Sequence, residues 1–336
     1  MIKPPALKTG DTLGIVAPAG VVNSRELEVG IKRLEGLGFR VRVGGAVRQA
    51  FRTMAGADRE RAQDLLQMFS DPEIKGIVCA RGGYGSARVI PFLDRDLIRA
   101  HPKIFVGSSD ITVLLLYLTQ ECGLVAFHGP MVGPNFGKDY SPLTETFFLK
   151  ILTQPGPIGP IQLSGVRILK NGRAEGRLMG GCLSLLCSAI GTPYDPQTDG
   201  AILFLEDIRE PPYRIDRMLT QLKAAGKFRK VRGVLFGGMW GCQPDDEAGY
   251  RLEEVILDVL DDLDGPVLFG IPSGHGEVNI TLPLGIRIRV SASPAEDSKT
   301  SSSSPLGRPG LTGEGELLNL EEAAISITPA DGVSGG

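Results

Sequence analysis

Short apolar, β-branched runs alternate with segments of helical spacing through the first part of the chain, and this alternation limits the fold more than any other feature. Thr12 to Ala17 is such a run and closes on Pro18-Ala19-Gly20. Ser24 is the expected N-cap of a helix through Leu37, with Gly38 as its stop. Arg40 to Val43 alternates as a strand, and Asp58 to Phe69 reads as a helix. Gly76 to Arg81 is the third strand, followed by an expected helix over Ala87 to Leu97 that Pro91 must start or disturb. Ile104 to Val106 and Leu124 to Phe127 complete five strands. Strands and helices in this alternation predict a parallel sheet covered on both faces, a Rossmann- or flavodoxin-like α/β domain over residues 1–135. Ligands then bind beyond the carboxyl ends of the strands, where the turns are small and polar.

Residues 136–168 are rich in Gly, Pro and Thr without sustained periodicity and are expected to be an interdomain connection. Residues 169–330 repeat the α/β character. Ala201 to Leu205, Val231 to Phe236 and Pro266 to Phe269 are predicted strands; the run before Gly191, Asp216 to Ala225 and Leu252 to Leu260 are predicted helices. Ile286 to Val290 and Leu317 to Ile327 have no helix between them and predict an antiparallel pair, so the second domain is expected to be mixed. Residues 291–315, with four consecutive serines, are expected to be a flexible loop without a catalytic role.

The 336 residues are 42% hydrophobic and 22% charged, the composition of a soluble globular protein with room for two cores. A net charge of −3 without a basic block argues against nucleic acid. Five scattered cysteines, mostly in apolar runs, suit reduced core thiols and a cytoplasmic location better than a disulfide framework. The N-terminus lacks an apolar signal core, and no run reaches the length of a membrane span. No Gly-Xaa-Gly-Xaa-Xaa-Gly or Walker pattern follows the first strand, which argues against a nucleotide cofactor. His101, His128 and His275 lie far apart without zinc-ligand spacing, so no metal is expected.

The stretch Ile104-Phe105-Val106-Gly107-Ser108-Ser109-Asp110 reads as strand, turn and helix start. A serine there faces helix N–H groups, a setting that favours developing negative charge. Ser and Asp are also preferred N-caps, which would explain them without chemistry. Glu206 and His275 sit at other strand ends; a surface ion pair to Arg209 or Arg214 and a solvated loop histidine are their ordinary explanations. Together Ser109, His275 and Glu206 supply a nucleophile, a base near neutrality and an orienting carboxylate, in a cleft between the domains. In Arg81-Gly82-Gly83-Tyr84-Gly85, paired glycines let backbone N–H groups approach a ligand. The Gly83 and Asp110 N–H groups would form an oxyanion site, with a phosphate cradle or a plain tight turn as the competing readings. Trp240 either stacks on a ligand or is a partly buried loop aromatic. Cys182, beside a helix start, is an alternative nucleophile among neighbours that read as core.

These motifs resemble the LD-carboxypeptidase family over nearly the whole chain. Gly10-Asp11-Thr12-Leu13-Gly14-Ile15-Val16-Ala17-Pro18, Arg81 to Gly85, Gly107 to Asp110 and Phe127-His128-Gly129-Pro130-Met131 are similar to its first domain. Gly180 to Leu186, Leu205-Glu206-Asp207, Pro212 to Leu219 and Gly274-His275-Gly276 are similar to its second. The resemblance implies a serine peptidase that removes terminal D-alanine from the L-centre of meso-diaminopimelate or lysine in recycled cell-wall tetrapeptides. It implies Ser109 as nucleophile, His275 as base and Glu206 as orienting acid. The family often has an aromatic where Ser108 stands; Ser109 is chosen over Ser108 because it precedes Asp. Arg81 is the expected partner of the substrate's free carboxylate, against an ion pair to Asp94 or Asp96. Two alternatives stay open: the microcin-immunity branch, which acts on aminoacyl-nucleotide-like substrates, and a two-domain protein that binds a small anion without cutting it. The resemblance and the apolar helix after Asp110 point to a homodimer.

Overall fold

The computed structural model describes residues 1–245, 248–292, 311–312 and 316–320. Strands β1 (Thr12–Val16), β2 (Arg40–Val43), β3 (Ile74–Cys79), β4 (Ile104–Gly107) and β5 (Ala126–His128) are parallel, in the order β5-β4-β3-β1-β2. They are connected through helices α1 (Ser24–Gly36), α2 (Asp58–Ser70), α3 (Arg95–Ala100) and α4 (Thr112–Leu116). β1, β3, β4 and β5 are almost wholly buried, as expected of parallel strands with both faces covered. After α5 (Pro142–Thr153), strands β6 (Gly159–Gln162), β7 (Arg167–Lys170) and β8 (Gly172–Cys182) begin a second sheet. It continues through α6 (Leu183–Ala189), β9 (Ala201–Ile208), α7 (Pro212–Ala224), β10 (Gly233–Trp240), α8 (Leu252–Val259) and β11 (Val267–Gly274). The chain then returns to the first sheet as β12 (Leu282–Leu284), antiparallel to β5, before β13 (Arg287–Ala292), β14 (Leu311–Thr312) and β15 (Glu316–Leu320).

The second sheet has nine strands in the order β14-β7-β11-β10-β9-β8-β13-β15-β6. Its centre, β8 to β11, is parallel and its flanks are antiparallel, including the expected pairing of β13 with β15. The strand period of two divides its side chains between two cores. Ile202 and Phe204 of β9 join the core shared with the first sheet, whereas Ala201, Leu203 and Leu205 pack with Ile215, Leu219 and Ile256 of α7 and α8.

The structure corrects several local expectations. Asn23, not Ser24, caps α1: its side chain accepts from the amides of Arg25 and Glu26 at 2.9 and 3.1 Å. The helix expected over Ala87 to Leu97 is instead two single 3₁₀ turns, Ser86–Arg88 and Ile90–Phe92, followed by α3. Pro91 lies at the start of the second turn, where its missing N–H costs nothing. Residues 136–168, expected to be an interdomain connection, carry α5, β6 and the start of β7. The apolar helix α4, offered by sequence as a dimer face, is buried within the chain itself. Of the serine-rich segment 291–315 and the strand expected to Ile327, residues 293–310, 313–315 and 321–327 lie outside the described residues.

Candidate active site

Ser109 follows β4 through Gly107 and Ser108. Gly107 is required for the close turn, since a Cβ there would stand 2.7 Å from Ile111 Cγ2. Ser108 occupies the N-cap position of the short turn, yet its side chain makes no capping hydrogen bond, so capping does not account for the paired serines. Ser109 has φ +60°, a left-handed conformation costing a non-glycine residue about 1–2 kcal/mol. It is partly exposed, whereas Ser108 is buried. The next residue fixes the elbow from below. The buried Asp110 carboxylate accepts the Ser86 amide at 2.8 Å, and the Ser86 hydroxyl donates to the Asp110 carbonyl. Burial pushes the Asp110 carboxyl above its usual range, and the Ser86 amide pulls the other way.

The glycine loop lies against this elbow. A Cβ on Gly82 would come within 2.7 Å of Ser109 Cβ and 3.3 Å of the Asp110 amide nitrogen. The Gly82 carbonyl accepts from the Gly20 amide at 2.9 Å. The N–H of Gly83, on the opposite edge of the same planar peptide, therefore points away from Gly20. Beneath the loop, fully buried Arg61 donates to the carbonyls of Pro18 and Gly85 and pairs with Asp58. Arg81 is exposed and donates to the Val21 carbonyl at 2.8 Å. The competing ion pair does not form: Asp94 caps α3, and Asp96 faces Arg95 at 3.6 Å.

Alternation along β9 sends its two acids to opposite faces of the sheet. Glu206 falls in phase with Phe204 and faces the first sheet; Asp207 faces the helical side, where it accepts the Ser184 amide at 2.8 Å near the start of α6. Glu206 is completely buried, and its Oε2 lies 2.6 Å from Nδ1 of His275. β11 continues through Gly274, which delivers His275 directly from the strand end. Only glycine fits at 274, because φ is +122° and a Cβ would stand 2.6 Å from Glu206 Oε2. Burial alone would raise the Glu206 carboxyl, but the two histidines beside it, His128 and His275, outweigh that and hold it at about 2. For His275, burial works against the charged imidazolium, and the Glu206 carboxylate prevails and raises its pKa.

The sequence reading missed the second histidine of this cluster. His128, fully buried at the end of β5, has Nε2 3.6 Å from Glu206 Oε1. Phe127-His128-Gly129-Pro130 is among the motifs that carry the family resemblance, but nothing in the spacing links it to a glutamate in the other half. The structure thus joins Glu206 to His275 and sets Ser109 against Gly82 and Asp110; it does not hydrogen-bond Ser109 to His275. Cys182 is aligned with Glu206 across β8 and β9, and burial pushes its thiol far up, which suits a core residue rather than a nucleophile. Trp240, 51% exposed, lies over Gly276, where a Cβ would collide with the indole. Among the described residues no group of three or more His, Cys, Asp or Glu is arranged to hold a metal ion.

A two-sheet α/β chain with a left-handed serine after one strand and a buried carboxylate–imidazole pair from two others carries groups that hydrolytic enzymes use. The chain belongs to the LD-carboxypeptidase family: residues 13–129 match its N-terminal domain and residues 175–290 its C-terminal domain. The chain is 42% identical to a probable murein peptide carboxypeptidase of Bacillus subtilis, over 85% of this chain and 90% of that one. The structure of a muramoyltetrapeptide carboxypeptidase from Oxalobacter formigenes superposes with a TM-score of 0.75 at 32% identity, covering 84% of this chain and 95% of that one. The microcin C7 self-immunity protein MccF, in complex with glutamyl sulfamoyl guanosine, superposes with a TM-score of 0.80 at 29% identity, covering 87% and 96%.

Proposed function

We propose that this protein is a cytoplasmic serine LD-carboxypeptidase that releases terminal D-alanine from murein tetrapeptides, using Ser109, His275 and Glu206. The observation that carries the reading is the 2.6 Å contact between buried Glu206 and His275 Nδ1, which fixes the imidazole with Nε2 free to take a proton. The strained φ of Ser109 supports its choice over Ser108, since strain of this kind collects at nucleophile elbows. The family membership and the murein-peptide relatives support the substrate class. Five buried, unpaired cysteines support a reducing compartment.

In this mechanism His275 Nε2 takes the Ser109 hydroxyl proton as Oγ attacks the scissile carbonyl. The N–H groups of Gly83 and Asp110 receive the oxyanion, and Glu206 stabilises the imidazolium that forms. The imidazolium then protonates the nitrogen of departing D-alanine, leaving an acyl-serine. His275 next deprotonates a water that attacks this ester, and the proton returns to Ser109. Arg81, exposed beside Gly82 and Gly83, is the proposed partner of the free carboxylate that marks an exopeptidase substrate.

The test is D-alanine release from L-Ala-D-Glu-meso-diaminopimelate-D-Ala by the wild type, Ser109→Ala and Ser108→Ala. The expected result is a loss of about 10⁴-fold or more in kcat for Ser109→Ala alone. A folded wild type that releases nothing overturns the substrate assignment. One observation favours a second reading, cleavage of aminoacyl-nucleotide-like molecules: the half-exposed indole of Trp240 beside His275 offers a face on which a base could stack. Faster turnover of an aminoacyl sulfamoyl adenosine than of the tetrapeptide would select it.

A further inference from the structure

His128 makes three connections through one residue. Its backbone pairs in register with Gly107, two positions before Ser109. Its Nδ1 lies 3.3 Å from the Ser273 hydroxyl, and Ser273 belongs to the strand that delivers His275. Its Nε2 faces Glu206 Oε1 at 3.6 Å, and neither of these buried atoms has a hydrogen-bond partner among the described residues. The ring is held edge-on to Phe204 at a centroid distance of 5.0 Å, on the same face of β9 as Glu206.

A bare imidazole lone pair opposed to a buried carboxylate oxygen would be repulsive, and would leave two buried acceptors facing each other without a donor. The arrangement is favourable with the proton on Nε2, directed at Oε1. The separation is just beyond hydrogen-bond range, as such contacts often are before substrate draws a site together. Glu206 is then clamped between two histidines, one on each oxygen.

We propose that His128 is a positioning residue for the reaction: its Nε2–H holds the Glu206 carboxylate in the rotamer that meets His275, and its backbone ties that carboxylate to the strand bearing Ser109. This rests on the assignment of Ser109, Glu206 and His275 above. The titratable groups around the pair are Asp207 beside Glu206, His275 after β11, and Cys182 at the end of β8. Asp207 is committed to the amides of Ser184 and Ile208, which leaves His128 as the group that faces Oε1.

The experiment compares His128→Phe, which keeps a ring but no N–H, with His128→Gln, whose side-chain amide restores a donor. Two readouts are taken: the NMR titration of the His275 imidazole, which needs no substrate, and kcat and KM for D-alanine release. In His128→Phe the His275 midpoint is expected to fall, because Glu206 is free to turn away. Its kcat should drop about 10²-fold with KM within twofold of wild type, and His128→Gln should recover both. An unchanged or raised midpoint in a folded His128→Phe overturns the proposal, as does equal impairment of the two variants. If the midpoint responds as expected while the wild type releases no D-alanine, the positioning role stands and the assigned substrate falls.

Discussion

At the scale of single residues, two glycines set the tolerances of the site. Alanine at 274 would bring a methyl to 2.6 Å from the Glu206 carboxylate in a backbone conformation that L-residues avoid. We expect Gly274→Ala to lose activity and about 1–3 kcal/mol of stability, read together by D-alanine release and urea unfolding. Gly82→Ala would press on Ser109 at 2.7 Å; the expected outcome is a fall of about 10²-fold in kcat with the fold retained by circular dichroism. The pH dependence follows from the Glu206–His275 pair. His275 is raised above 6.5 and, as the proposed base, can act only when neutral, so the acid limb of kcat/KM should lie above 6.5. For stability, the raised histidine contributes fully below 6.5 and loses its effect as pH rises through its folded value. The carboxylate contributes above 4.5 and loses its effect as pH falls toward about 2. The melting-temperature gap between wild type and Glu206→Gln should therefore be widest between pH 4.5 and 6.5 and narrow on both sides.

At the scale of elements, the loops that shape the site are held from inside by one guanidinium. Arg61 on α2 reaches the Pro18 and Gly85 carbonyls, so the turns after β1 and β3 share an anchor. Arg61→Met would leave the buried Pro18 carbonyl without its donor, while the Gly85 carbonyl keeps the Arg88 amide at 3.2 Å; a loss of about 1–3 kcal/mol is expected in chemical denaturation, with a lower kcat as the Gly82–Gly85 turn loosens. The helix pattern of α2 was legible from its periodicity, but that a charged residue of it turns inward was not, because Arg61 looks like any other polar position in Asp-Arg-Glu-Arg. The same limit applied to the strands. Runs such as Val231 to Phe236 and Pro266 to Phe269 located β10 and β11, whereas their continuations through Gly-Gly-Met-Trp and Gly-Ile-Pro-Ser-Gly are interrupted by glycine and proline and are held as strand by pairing with their neighbours. Ser109 and His275 could be singled out because each stands among small residues after a strand, and Glu206 because it closes the apolar run Ala201 to Leu205. His128 could not, since its link to Glu206 exists only once two sheets meet.

At the scale of the molecule, the sheets are stitched together close to the site. The Thr112 hydroxyl, in the helix that follows Ser109, accepts the Cys182 amide at 3.0 Å, and Cys182 pairs across the sheet with Glu206. Gly181, at φ +146°, leaves the space for that approach. Thr112→Val keeps the shape and removes the acceptor, so a loss of about 1–3 kcal/mol is expected together with reduced kcat, while a change in stability alone would separate the stitch from the chemistry. β12 strengthens the same joint by returning the second half of the chain to the edge of the first sheet.

Trp240 gives the molecule a property of another kind. It is the one tryptophan of the chain, and its indole rests on the residue immediately after His275. The indole emission of the whole protein therefore originates beside the proposed base. Occupancy of the proposed site and the charge on His275 should both be readable as intrinsic fluorescence, without a label, in a spectrum that no other indole contaminates.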